Sequence, residues 1–77
     1  MTWYKGFMSY DEELERWVVE GEDNWYSLRC GEVLKLHFPT NRTLTGRLEL
    51  SRSWYVIVDS VPLGLLERRR YKVSIEL

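Results

Sequence analysis

Thr43-Leu44-Thr45-Gly46-Arg47-Leu48-Glu49-Leu50 alternates without a break. Leu44, Gly46, Leu48 and Leu50 share one face, and Thr43, Thr45, Arg47 and Glu49 share the other. Period two is the signature of a strand with one face on a core and one toward water. Gly46 falls on the apolar face, where a bulky neighbour needs room or the strand coils sharply. The pattern continues on both sides of this segment. Upstream, Leu34, Leu36 and Phe38 oppose Val33, Lys35 and His37. Downstream, Ser53–Asp59 reads as a strand apolar on both faces, with Trp54, Val56 and Val58 against Tyr55 and Ile57. At 71–77, Tyr71, Val73, Ile75 and Leu77 point inward, and Lys72, Ser74 and Glu76 point outward. There is no alanine in the chain. The best helix former is thus absent, while β-branched and aromatic residues are plentiful.

The first third is less regular. Thr2–Met8 and Glu15–Glu20 suggest a hairpin around the acidic loop Ser9–Leu14. Asp11–Glu20 also fits one short helical turn, with Leu14, Trp17 and Val18 at helical spacing, but Trp17-Val18-Val19 favours strand. Turn signals lie at Gly21–Asn24, Pro39–Arg42, Ser51–Ser53 and Ser60–Gly64. The expected fold is all-β: a small, closed or nearly closed barrel of five or six antiparallel strands, since closure protects strand edges.

At 77 residues with 44% apolar content, the chain is expected to be a single domain spanning 1–77, near the margin at which burial offsets chain entropy. No apolar run is long enough to span a bilayer. Met1-Thr2-Trp3-Tyr4-Lys5 lacks the apolar stretch of a signal peptide. The lone Cys30 excludes an internal disulfide. These features lead to the expectation of a soluble, cytoplasmic protein with no membrane partner.

The net charge of −1 conceals a split. Residues 1–32 hold eight acids and three bases; residues 33–77 hold four acids and eight bases. Either the protein has an acidic and a basic face, or the two halves pair across adjacent strands.

Seventeen residues are Trp, Tyr or Arg, the types that dominate energetically important contact surfaces. Trp3-Tyr4, Trp25-Tyr26 and Trp54-Tyr55 are three aromatic pairs. Adjacent strand residues face opposite ways, so a strand would bury one member of each and leave the other available for contact. Arg68-Arg69-Arg70 can grip carboxylates or phosphates bidentately, or can serve as a solvated turn that guards a strand edge. The partner-binding candidates are therefore Trp3, Tyr4, Trp25, Tyr26, Arg68, Arg69 and Arg70.

Catalytic chemistry finds little support. Cys30 and His37 are the only residues of their types, too few for a zinc site built by this chain alone. Nothing near them orients the histidine as a nucleophile's base, and Cys30 reads as a small buried residue. Asp11, Glu12, Glu13 and Glu15 are clustered in a turn with no apolar pocket to raise a pKa. No glycine-rich phosphate loop is present. The expectation is no enzyme activity, no metal and no cofactor.

Gly6, the acidic turn at Asp11, Arg16-Trp17-Val18-Val19, Cys30-Gly31-Glu32-Val33, Arg47-Leu48-Glu49, Trp54-Tyr55-Val56, Leu63-Gly64-Leu65-Leu66 and Lys72-Val73-Ser74-Ile75 follow one another in a pattern. It resembles a family of small uncharacterised proteins of Gram-positive bacteria, their phages and mobile elements. The resemblance covers most of the chain and implies a single SH3-like barrel with no established catalytic residues. Arg68-Arg69-Arg70 and Trp3-Tyr4 lie outside the pattern. It further implies an accessory protein that modulates or inhibits a host defence complex. The functional expectation is a non-enzymatic protein-binding module. The alternative is a barrel that binds single-stranded or structured nucleic acid through its basic half, against which stands the acidic pI of about 5.8. Homodimerisation through the aromatic surface is also open.

Overall fold

The computed structural model describes residues 2–77. They form eight strands and no helix: β1 (Trp3–Asp11), β2 (Arg16–Glu20), β3 (Trp25–Ser27), β4 (Val33–His37), β5 (Thr43–Leu50), β6 (Trp54–Val58), β7 (Val61–Gly64) and β8 (Tyr71–Glu76). All belong to one antiparallel sheet of order β3-β2-β1-β8-β4-β5-β6-β7, whose two edges are not hydrogen-bonded to each other. The all-β expectation holds. The expected five or six strands become eight, in a sheet that is not closed. With no helix among the described residues, none is long and apolar enough to cross a membrane.

The two additional strands are the edges. β7 occupies the stretch whose Pro and Gly read as a turn. Pro62 is tolerated because β7 pairs only with β6, so its missing N–H removes no bond from the ladder's interior. The reversal sits earlier, at Asp59 and Ser60, both with positive φ (48° and 67°). That pair of left-handed residues makes a two-residue hairpin turn whose twist matches the strands. The 11–20 segment is a hairpin and contains no helical turn. Asp11 pairs with Arg16, and the Asp11 carboxylate accepts hydrogen bonds from the backbone N–H groups of Glu13 (2.9 Å) and Leu14 (3.0 Å). β1 therefore runs three residues further than the alternation alone suggested.

A flat sheet of eight strands would be about 34 Å wide and one layer, about 10 Å, thick. The molecule measures 32 × 31 × 23 Å, so the sheet curls around its inner face. Tyr10 of β1 and Trp54 of β6 show the curl directly: three strands separate them in the sheet, yet their rings are 6.3 Å apart. The inner face carries one core, including Met8, Trp17, Val19, Leu28, Leu34, Leu36, Leu48, Val56, Val73 and Ile75. Trp17 is wholly buried, with Tyr10 and Tyr71 edge-on at 5.5 and 5.9 Å. Its indole N–H has no acceptor. That omission costs about 1–3 kcal/mol. Burying an indole of about 200 Å² contributes roughly 5 kcal/mol, so the packing outweighs the lost bond.

Gly46 is on the inner face, as its place in the alternation required. A Cβ there would sit 2.6 Å from the Ile57 carbonyl oxygen and 2.6 Å from a Val56 methyl. Around Gly64, by contrast, there is nothing within 4 Å. Gly46→Ala should therefore lower stability by about 1–3 kcal/mol, a sizeable part of the roughly 4–12 kcal/mol typical of a domain this size. Gly64→Ala should be neutral or slightly stabilising. Urea unfolding of the two variants side by side checks both; equal effects would show that the crowding at Gly46 is not what fixes that glycine.

Candidate functional site: a cationic face at the centre of the sheet

β8 lies between β1 and β4, and its outward residues meet theirs in register. Lys5 of β1 and Lys35 of β4 stand on either side of Ser74. Phe7 of β1 stands beside Lys72. Lys5, Lys35 and Lys72 are all the lysines in the chain, and the strand order gathers them on one face. Arg70 joins them, its guanidinium 4.7 Å from the Phe7 ring centre, and Lys35 Nζ lies 4.1 Å above the Trp3 ring. Among the described residues the one ion pair is Arg47–Glu49, both on β5. The acidic first half and the basic second half thus adjoin at β1 and β8 without ion-pairing there.

Ser74 points outward yet is only 1% exposed. A hydrogen bond of 2.7 Å links its Oγ to Nε2 of His37, and Nδ1 of His37 lies 3.4 Å from Thr43 Oγ1. A serine on a histidine nitrogen is the geometry of an activated nucleophile. At this burial, however, Ser74 Oγ is closed to a reacting carbonyl, and the pair acts as a cross-strand tie that satisfies a covered hydroxyl. His37 titrates below the ordinary 6.5, first because burial disfavours its charged form and then because Lys5, Lys72 and Lys35 repel another positive charge.

The seven sequence candidates divide. Trp25, on the outer side of edge strand β3, is 59% exposed. In register, Trp25 meets Glu20 and Glu20 meets Phe7, which is itself exposed. Trp3 lies half-buried on the same outer face beneath Lys35. Tyr4 and Tyr26 instead turn inward, packing against the core with rings edge-on at 5.1 Å. Tyr4 Oη donates to the Asn24 carbonyl (2.8 Å) and accepts from the Asn24 N–H (3.2 Å), which fastens the β2–β3 turn to β1. Each aromatic pair does place one member inward, and in the third pair it is Trp54.

Arg68, Arg69 and Arg70 are exposed in the turn before β8 but do not form one patch. Arg68 borders a cleft with Tyr10, Glu12 and Trp54, whereas Arg70 faces Phe7 and the lysines. Cys30 is exposed, not the small buried residue expected of it. It falls in the turn ahead of β4, next to Gly31 at φ 93°, where no strand face is available to bury it.

Lys5, Phe7, Lys35, His37 and Lys72 were missed as a site. Alternation placed Lys35, His37 and Lys72 on outward faces and gave Lys5 and Phe7 no face, and the three lysines are 30 and 37 residues apart in sequence. Only the β1–β8–β4 pairing brings them together.

The family model of a domain of unknown function (DUF5348) matches residues 6–75. The chain is also similar to a protein from Ruminococcus gnavus whose crystal structure was determined by a structural genomics consortium. The identity is 22%, the TM-score is 0.69, and the match covers 95% of this chain and 100% of that one. That likeness concerns the fold. No curated protein matches the chain.

The His37 environment gives a prediction with a definite sign. Its folded pKa lies below its unfolded one, so the unfolded chain takes up the proton first as pH falls. The stability linked to His37 is complete above about 6.5 and is lost as pH drops from there through the lower folded value. Urea unfolding across this range should show wild type losing stability faster than His37→Gln. Parallel pH profiles for the two proteins would contradict the assigned environment.

Proposed function

The chain belongs to the family of the domain of unknown function DUF5348, and we propose that it is a non-enzymatic module that binds a protein partner. The observation carrying this reading is the exposed row Trp25–Glu20–Phe7 beside unpaired cations on one sheet face. Exposed aromatics among positive groups that lack internal partners are what a contact surface needs: apolar area at its centre and charge around it. We take Trp25 and Trp3 as the aromatic contacts and Arg68, Arg69 and Arg70 as groups that steer an acidic partner. Tyr4 and Tyr26 support them from within by holding β3 and its turn against β1.

We read the curled sheet as akin to SH3-like barrels, which present aromatics to peptides. With the resemblance to proteins of phages and mobile elements, this leads us to an accessory protein that modulates or inhibits a host defence complex. A second reading, nucleic-acid binding, draws support from the gathered lysines, since charge with neighbouring aromatics also suits single strands.

The test begins with affinity capture from host lysate, with and without nuclease, followed by affinity measurement on the purified partner. The expected result is a nuclease-resistant protein whose affinity falls about tenfold or more with Trp25→Ala. Joint replacement of Arg68, Arg69 and Arg70 by Glu should lower it too, mainly through the association rate. Capture that disappears with nuclease would move the assignment to nucleic acid. A partner bound equally well by all variants would remove these residues from the interface.

A further inference from the structure

Resting on the protein-binding reading, we infer that the outer face of β1, β8 and β4 is a docking surface for an acidic polypeptide segment, held by Lys5, Lys35 and Lys72 around the Ser74–His37 tie. Charge complementarity carries the assignment. The three lysines and Arg70 have no carboxylate in ion-pair reach. A groove of about 390 Å³ runs along Lys5, Phe7, Arg70 and Lys72, a size that suits a few side chains. Ser74 offers no free hydroxyl, since His37 already engages it. The recognition chemistry is therefore ammonium and guanidinium groups on carboxylates, with Phe7 as the apolar contact at one side.

Two observations favour a peptide over a nucleic-acid strand. Trp3 and Phe7 each have a cation above one ring face, at 4.1 and 4.7 Å, which leaves fewer faces for bases to stack on without removing the rings' exposed area from side-chain contact. Glu20 and Glu22 also line the groove, and Glu76 is paired in register with Trp3. These carboxylates limit the positive surface to a small area. About four phosphate contacts would give a salt slope of only about −3 on a single strand, weak anchorage for a long polyanion. A short acidic segment needs no longer track than this, and its apolar residues can use Phe7.

The experiment is fluorescence anisotropy on the full chain with two labelled probes at the same salt: a short Asp/Glu-rich peptide containing one Phe, and oligothymidylate. It compares wild type with the variant Lys5→Gln, Lys35→Gln, Lys72→Gln and with the control Arg29→Gln, Arg52→Gln, two exposed loop arginines outside the proposed contacts. Circular dichroism establishes that each variant is folded. The sole histidine supplies a second readout, because carboxylates docked beside the lysines should raise the His37 pKa seen by NMR.

The expected result is peptide binding that weakens at least tenfold in the lysine variant, changes less than threefold in the arginine control, and raises the His37 pKa. Peptide binding lost only in the arginine control would overturn this site and leave the protein-binding reading standing. Absence of binding to either probe would do the same, since docking through Trp25 needs no anion. Tighter binding of oligothymidylate than of peptide would overturn both. If the lysine variant is unfolded, the His37 shift in wild type decides: peptide that binds without moving it is docked elsewhere, and the inference fails.

Discussion

The structure depends on β8 entering between β1 and β4. Without it the sheet separates into β3-β2-β1 and β4-β5-β6-β7, the first built from the acidic end of the chain and the second from the basic remainder. In β8, as in β2, three consecutive residues are buried, here Val73, Ser74 and Ile75. Val73 and Ile75 lie inward between Gly6 and Tyr4 of β1 and Leu36 and Leu34 of β4. They join what would otherwise be two half-cores. Loss of a buried aliphatic side chain there removes the usual 2–5 kcal/mol of packing, and it does so at the junction, where no neighbouring strand can substitute.

The same junction builds the candidate site. A serine facing outward in the middle of a sheet would normally be wet. Here the strands on both sides contribute a lysine opposite it, and His37 takes up its hydroxyl, so Ser74 is buried without being left unsatisfied. The lysines are long enough to cover apolar surface with their stems while keeping their ammonium groups in water. One of them, Lys35, rests on Trp3. The strand pairing set by the inward residues thus brings the three lysines onto one face.

What the sequence made legible was local. Strict alternation in Thr43–Leu50 placed Leu48 inside and Arg47 outside correctly, and it marked Gly46 as a packing glycine, because side-chain direction in a strand depends only on parity. Parity also required each aromatic pair to split. It could not say which member goes in: Tyr4 was decided by the Asn24 backbone waiting for its hydroxyl, and Trp54 by the Tyr10 ring across the curl. β7 was hidden because Pro62 and Gly64 carry turn signals, and an edge strand tolerates both. The lysine face was illegible for a different reason. It depends on register between strands at opposite ends of the chain, and that register is set by the inward residues, not by the lysines themselves.

The cost of leaving these charges unpaired is small enough for a marginal domain to carry. Lys5 and Lys35 are separated by one intervening strand, about 10 Å. In water that repulsion is about 0.4 kcal/mol, at a distance where physiological salt already screens it. The gathered lysines therefore weigh little on the fold while the face is wet. Their effect is larger around half-buried His37, held against Ser74, whose pKa is lowered first by burial and then by the three lysines. An anion bound as proposed would exclude water from the lysines themselves. The same charges would then interact through a lower effective dielectric, and a weak mutual repulsion would become a stronger attraction to the ligand. Under the proposed docking, such a face would cost little when empty and gain from occupancy, which is the energetic asymmetry that separates a binding surface from a solvated one.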